Sequence, residues 1–130
     1  MTITNSSKNY LSPIELSELC ASASDSKKAK DILVLDVGEI IGIAEYFVVC
    51  SGSNDRQVKA ISDAILNAAF QCNVKPISVE GQREGEWILL DFGTVVVHIF
   101  HDEYRKFYRI ERLFKDAHKI EWKSLIKEAG

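Results

Sequence analysis

The residues at positions 51–53, Ser-Gly-Ser, have the types and the position that can bind a phosphate. They stand between an apolar run that predicts a strand and a helical pattern that begins near Asp55. Free backbone N–H groups and the dipole of a helix favour an anion at such a helix start. The sequence has neither G-x-G-x-x-G nor the lysine of a P-loop here. An anion site and a plain strand end followed by an N-cap therefore both fit, and the second is the commoner use of these residues.

A Gly-Ser pair before a helix also opens the nucleotidyltransferase motif, in which alternating carboxylates on a following strand hold magnesium for phosphoryl transfer. The strand predicted after the helix carries only Glu80, and Asp91 has no second carboxylate two residues away. An enzyme that used Ser53 and Asp91 would lack its metal-binding pair. We therefore predict no catalytic residues, no cofactor and no metal site. A magnesium-dependent nucleotide-binding transferase of the nucleotidyltransferase-like fold is the alternative.

Histidine and cysteine side chains do not form a recognisable metal-binding or nucleophilic pattern. His98 and His101 are three residues apart in a predicted strand, so they point to opposite faces of the sheet. Cys20, Cys50 and Cys72 lie far apart and lack C-x-x-C spacing. They are predicted to be reduced thiols of the core, and a buried Cys50 would be inert as a nucleophile.

Residues of the types enriched at protein-binding hot spots flank one predicted hairpin. The hairpin joins residues 87–92 to residues 95–100 and carries large apolar side chains on both faces. Both faces must therefore be covered, and we predict helices on the Ile88 face and a partner on the Trp87 face. The predicted partner-binding residues are Trp87, Leu89, Asp91, His98, Tyr104, Arg105, Tyr108 and Arg112. Alternatively, these aromatic side chains belong to the core and the arginines pair with neighbouring acidic residues.

Apolar spacing and capping residues predict the elements that position this hairpin. Ser12 and Glu15 form a capping box for a helix that runs from residue 13 into the low twenties. Buried strands are predicted at residues 32–35, 46–50 and 77–79, with a helix from residue 55 to about 71 as a parallel crossover. One or two helical turns and a weak helical pattern follow the hairpin.

These elements predict an α/β fold with a mixed sheet of about five strands and flanking helices. We divide the chain into a flexible leader at residues 1–11, a domain at residues 12–117 and a C-terminal extension at residues 118–130. The formal charge of −3 argues against nucleic-acid binding by bulk electrostatics, although a local basic patch would be compatible with it. No apolar run has the length of a signal peptide or a membrane span, and the predicted location is the cytoplasm.

Several segments, in their order and spacing, are specific enough to indicate a family. They are residues 45–53 (EYFVVCSGS), 55–61 (DRQVKAI), 80–81 (EG), 85–87 (GEW), 91–93 (DFG), 95–101 (VVVHIFH), Tyr108 and 111–113 (ERL). Together they closely resemble the ribosomal silencing factor family, also called RsfS or Iojap-like. The resemblance covers about residues 31–117.

The resemblance implies a nucleotidyltransferase-like α/β fold without the catalytic carboxylates, hence a non-enzymatic protein. It implies binding to the large ribosomal subunit through ribosomal protein number fourteen of that subunit, at the surface where the small subunit docks. Occupying that surface would block subunit joining and repress translation in starvation or stationary phase. We also predict neither direct sequence-specific nucleic-acid recognition nor membrane binding, and a homodimer whose hairpin strands pair or pack with each other remains an alternative.

Overall fold

The computed structural model describes residues 11–123, with the side chains of Phe107, Tyr108, Glu111 and Leu113 outside the described part. Residues 1–10 of the predicted leader and residues 124–130 of the predicted extension also lie outside it. The helices are α1 Pro13–Ser26, α2 Gly38–Ile41, α3 Asp55–Gln71, α4 Asp102–Tyr108 and α5 Ile110–Leu113. The strands are β1 Lys30–Asp36, β2 Tyr46–Gly52, β3 Ser78–Glu80, β4 Trp87–Asp91, β5 Val95–His101 and β6 His118–Lys119.

The described strands form one mixed sheet in the order β3-β4-β5-β2-β1-β6. Strands β2 and β5 are parallel neighbours, and the other neighbouring pairs are antiparallel. The predicted α/β class and the hairpin of β4 and β5 are therefore confirmed. Since β4 and β3 alternate in direction from β5, β3 runs parallel to β2, as the predicted crossover through α3 requires.

The sixth strand, β6, differs from the helical pattern predicted for this part of the chain. His118 pairs with Asp36 and Lys119 with Leu35, and the backbone N–H of Ile120 donates to the carbonyl of Val34 at 2.8 Å. The free hydrogen-bonding edge of β1 thus orders a segment whose own helical preference is weak. The described part of the predicted extension also places Trp122 in the core.

Capping side chains fix the starts of the two long helices. In α1, Ser12 Oγ accepts from the Glu15 N–H and Glu15 Oε1 accepts from the Ser12 N–H, which confirms the capping box. In α3, Asn54 Oδ1 accepts from the Gln57 N–H at 2.8 Å. The Gln57 side chain accepts from the Ser53 N–H at 2.6 Å and donates to the carbonyls of Lys27 and Lys28 at 3.0 Å. Gln57 therefore ties α3 to the turn between α1 and β1.

Helices α1 and α3 pack against one face of the sheet. Ile88 and Leu90 of β4 are 0% exposed there, against Val58 and Ile61 of α3. The expectation that the chain's own helices cover the Ile88 side of the hairpin is confirmed. Burying this face against two amphipathic helices is the main hydrophobic contribution to the fold.

The opposite face, which we call the open face, is only partly covered. Its strand residues are Leu35, Phe47, Val49, Trp87, Leu89, Asp91, Val96, His98 and Phe100. Ile110, Phe114 and Ala117 pack on its central part. The part formed by β4 and the start of β5 remains accessible.

Candidate protein-docking surface

An apolar groove lies on the accessible part of the open face. It has a volume of about 410 Å³. Its lining residues are Ile41, Ile43, Ala44, Phe47, Ile77, Leu89, Asp91, Gly93, Val96 and His98. Ile43 is 87% exposed and Ile77 is 73% exposed, so two large apolar side chains meet water at its rim. A contiguous apolar groove of this kind is typical of a binding surface rather than of an inert one.

The aromatic side chains beside the groove hold one another in fixed positions. Trp87 Nε1 donates to His98 Nδ1 at 3.1 Å, and the Trp87 ring stacks on Phe100 with ring centroids 5.0 Å apart. His98 contacts the ring of Phe47 at 4.6 Å. Because these rings are already ordered, a partner that contacts them loses little side-chain entropy on binding.

His98 offers a polar group at this apolar surface. The residue is 5% exposed, and its Nε2 has no hydrogen-bond partner in the described structure. Burial lowers the pKa of His98 to about 4, so the imidazole is neutral near pH 7. Since Nδ1 accepts from Trp87, the neutral ring carries its proton on Nε2. This N–H is therefore a buried donor with no partner among the described residues.

Asp91 places a carboxylate at the end of β4 in the lining of the groove. Its Oδ1 accepts from the backbone N–H of Gly93 at 2.8 Å, which stabilises the hairpin turn. Gly93 has a φ of 90°, a conformation that favours glycine. The carboxylate therefore has a structural use in the turn and can also face a positive charge on a partner.

The predicted partner-binding residues divide between two places. Leu89, Asp91 and His98 line the groove, and Trp87 is bonded to His98. Arg105 and Arg112 line a different cavity, beyond the carboxyl end of β2. Arg105 is 6% exposed and donates to Ser51 Oγ at 2.8 Å, so it is part of the folded framework.

Two further members of the predicted set lie after His101. Tyr104 is half-buried and its ring meets His101 edge-on at 5.9 Å. The side chain of Tyr108 lies outside the described residues. The set chosen from residue types therefore does not form one continuous patch around Trp87.

Sequence reasoning missed the isoleucines that line the groove. The sequence pattern indicates a connection at residues 38–42 and a strand at residue 77, whereas Ile41, Ile43 and Ile77 all line the groove. The available signal was three isoleucines within residues 40–43, which follow Gly38 and are interrupted by Gly42. Helix α2 is a single turn, too short to bury all of them.

The structure separates the two residues of the alternative transferase site. Asp91 pairs with Val96, which in turn pairs with Phe47 of β2. Ser53 lies six residues beyond Phe47 along the chain, or roughly 20 Å at the rise of an extended strand. Ser53 and Asp91 are therefore at opposite ends of the sheet and cannot act on the same phosphoryl group.

The His101 and Cys50 side chains have structural roles. His101 Nδ1 accepts from the Glu103 N–H at the start of α4. Cys50 is fully buried, and burial raises the pKa of its thiol to about 12, so it stays protonated near neutral pH. Among residues 11–123, no group of three or more potential metal ligands is found. In the same range, no helix has the length and apolarity needed to cross a membrane.

A family model and relatives of this chain carry closely similar descriptions. The family model described as "Ribosomal silencing factor during starvation" matches residues 11–130. The ribosomal silencing factor RsfS of Bacillus subtilis is 42% identical over 100 residues, which are 77% of this chain and 85% of that protein. The protein of the same name from Halalkalibacterium halodurans is 36% identical over 112 residues, 86% of this chain and 96% of that protein.

A solved structure shares the fold. The X-ray crystal structure of a protein from Chromobacterium violaceum has a TM-score of 0.77 and 34% identity to this chain. The similarity covers 79% of this chain and 86% of that one.

Proposed function

The chain belongs to the ribosomal silencing factor family, and on that premise we propose that its groove docks a protein of the large ribosomal subunit. Ribosome silencing is the role for which members of this family are named, and it is the role of a regulator rather than of an enzyme. The proposed partner is ribosomal protein number fourteen of the large subunit. The proposed site of action is the cytoplasm, under starvation or in stationary phase.

The accessible groove on the open face is the observation that supports this docking site. Its exposed isoleucines offer apolar area, and Asp91 offers a negative charge within it. We expect the matching surface of the partner to present apolar side chains and a basic residue.

Blocking of subunit joining follows from occupancy alone in this proposal. A protein of 14.6 kDa bound where the small subunit docks excludes it sterically and needs no turnover. Silencing would then depend on the affinity and the concentration of the factor, because the two binding events compete for one surface.

Sedimentation with purified large subunits tests the proposal directly. Ile43→Asp places a charge in the groove at a side chain that is 87% exposed, so the fold should tolerate it. We expect the affinity for large subunits to fall by about tenfold or more. Phe70→Asp is the matched control, because Phe70 is 63% exposed on α3, on the other side of the sheet.

Adding small subunits and initiation components measures the second part of the proposal. The wild-type protein and Phe70→Asp should reduce subunit joining, and Ile43→Asp should not. Binding of each variant to isolated ribosomal protein number fourteen identifies the partner. If Ile43→Asp and wild type pellet equally, the groove is not the docking site. If wild type leaves joining unchanged, steric blocking is wrong.

A second copy of this chain is the competing occupant of the groove. Strands β4 and β5 each have a strand on both sides, so they cannot pair with strands of another copy. A homodimer formed through the hairpin would therefore require the grooves of two copies to pack against each other. Gel filtration over a concentration series, with Ile43→Asp as the comparison, would detect it.

A further inference from the structure

A second cavity, of about 590 Å³, lies beside the carboxyl end of β2 and the start of α4. We call it the basic pocket. Its lining residues are Lys30, Asp31, Ser51, Asp102, Arg105, Lys106, Arg109 and Arg112. Five of them are basic and two are acidic, on a chain whose formal charge is −3. Positive charge is therefore concentrated here against the overall balance of the chain.

Within the described lining, the acidic residues neutralise only part of this charge. Lys30 Nζ pairs with Asp102 Oδ2 at 3.1 Å, a partly exposed contact. Arg109 Nε donates to the Lys106 carbonyl at 3.2 Å, which orients the arginine and leaves its charge in place. Lys106, Arg109 and Arg112 are exposed at the rim of the pocket. An anion that enters the pocket therefore meets several cations within one concave surface.

Arg105 supplies a positive charge with a fixed orientation. Its guanidinium donates to Ser51 Oγ at 2.8 Å and to the Lys30 carbonyl at 3.4 Å, and the residue is 6% exposed. A guanidinium held in this way keeps its positive charge at a fixed place in the wall of the pocket. The pocket thus combines one preorganised cation with exposed cations at its rim.

The described lining supplies what a nucleic-acid backbone phosphate requires. Its residues are charged or polar. Recognition of a nucleic-acid backbone needs positive charge and hydrogen-bond donors, whereas a free nucleotide also needs a surface for its base. The described lining therefore fits a backbone phosphate.

The basic pocket and the groove lie on the same face of the sheet. Phe47, Val49 and Ser51 alternate along β2 and share the open face. Phe47 lines the groove and Ser51 lines the basic pocket, four residues apart along an extended strand. This separation is roughly 13 Å at the rise of a strand. A large partner seated in the groove can therefore extend over the pocket.

We propose that the basic pocket binds a backbone phosphate of RNA, without sequence preference, next to the protein that occupies the groove. This inference rests on the proposed function, because it places ribosomal RNA beside the docked ribosomal protein. Contacts to phosphate set position and orientation and carry no base specificity. The pocket would fix the orientation of the bound factor on the subunit.

Fluorescence anisotropy with the full chain and a short labelled single-stranded RNA tests the pocket alone. The double variant Lys106→Glu, Arg112→Glu reverses two exposed rim charges. We expect its RNA affinity to be at least about tenfold weaker than wild type at about 50 mM salt. The slope of log affinity against log salt should fall by about 0.7 for each phosphate that the variant no longer neutralises.

The double variant Lys59→Glu, Lys75→Glu is the control, since it changes the net charge equally at exposed positions on and after α3. It should bind RNA with nearly the wild-type affinity. Equal decreases in affinity for both double variants, or no RNA binding by wild type, overturn the proposal. Saturable binding of pyrophosphate or ATP in calorimetry, together with no RNA binding, overturns the RNA assignment.

Binding to isolated ribosomal protein number fourteen, which contains no RNA, separates this inference from the proposed function. The variant with rim charges reversed should bind that protein as tightly as wild type and bind whole large subunits more weakly. If Ile43→Asp fails to weaken binding to that protein but the RNA results hold, the docking proposal is wrong and the phosphate site stands.

Discussion

The buried imidazole of His98 makes the stability of the protein depend on pH. Its folded-state pKa is lowered to about 4 by burial, whereas a histidine in an unfolded chain titrates near pH 6.5. Below about pH 6.5 the unfolded chain binds a proton that the folded chain does not. The stability that the neutral ring contributes is therefore complete above pH 6.5 and is lost as the pH falls toward 4.

We predict that this one residue lowers the free energy of unfolding by roughly 2–3 kcal/mol between about pH 7.5 and about pH 4.5. Other groups titrate in this range, so the comparison is with His98→Gln, which keeps an acceptor for the Trp87 indole. Urea unfolding of both proteins at both pH values measures it. Parallel pH profiles for wild type and His98→Gln would show that His98 is not responsible.

Arg105 has a structural role that its residue type alone does not indicate. Its type predicts contact with a partner, but its guanidinium bonds to Ser51 and the Lys30 carbonyl inside the fold. We predict that Arg105→Gln lowers the free energy of unfolding by about 2 kcal/mol, because it leaves buried polar groups without their donor. Arg112→Gln, at an exposed position in the same pocket, should change it by less than about 0.5 kcal/mol.

Chemical denaturation of the two variants decides between these roles. Equal stability of Arg105→Gln and wild type, combined with weaker binding to large subunits, would restore Arg105 as a direct contact. The sequence could not decide this, because burial of Arg105 depends on the antiparallel pairing of Lys30 with Ser51. Such pairing is set by tertiary structure, whereas hot-spot types can be read from the sequence alone.

At the scale of elements, the turn before β4 positions the Trp87 edge of the open face. Gly81 has a φ of 85°, its carbonyl accepts from the Gly85 N–H, and a Cβ at Gly81 would overlap the backbone carbonyl of Trp87. We predict that Gly81→Ala lowers the free energy of unfolding by about 3 kcal/mol or more, through both strain and this overlap.

Gly42→Ala separates these two causes. Gly42 has a φ of 75°, but a Cβ there would have no atom within 4 Å. Gly42→Ala should lower the free energy of unfolding by only about 1 kcal/mol, which is the contribution of the strained backbone conformation alone. Thermal and urea unfolding of both variants make the comparison. If the two variants lose similar amounts of stability, the backbone near Gly81 and Trp87 moves apart easily, and this close contact does not hold β4 in place.

Elements with local signals could be predicted well. The bounds of α3 follow from Asn54 as its cap and from a strong apolar stripe, and the hairpin follows from two β-branched runs around Gly93. Strand β6 could not be predicted, because its two residues gain their structure from the edge of β1. The groove was missed for a related reason, since Ile41 and Ile43 line the same groove as Ile77 only in the folded sheet.

At the scale of the whole molecule, the groove and the basic pocket are two separate concave regions on one face of the sheet. Phe47 of the groove and Ser51 of the pocket are roughly 13 Å apart along β2. If both contact the large subunit, each should contribute its own free energy of binding. Independent sites more than about 7–10 Å apart usually contribute additively.

We therefore predict that combining Ile43→Asp with the Lys106→Glu, Arg112→Glu pair lowers the affinity for large subunits by the sum of the two separate effects, within about 0.5 kcal/mol. The salt dependence should distinguish the two regions. Ile43→Asp should keep the wild-type slope because the groove is largely apolar, and the rim variant should flatten it because fewer phosphates are neutralised. Sedimentation at several salt concentrations measures both quantities. Strong non-additivity, or a slope that changes with Ile43→Asp, would mean that the two regions bind as one coupled surface rather than as independent contacts.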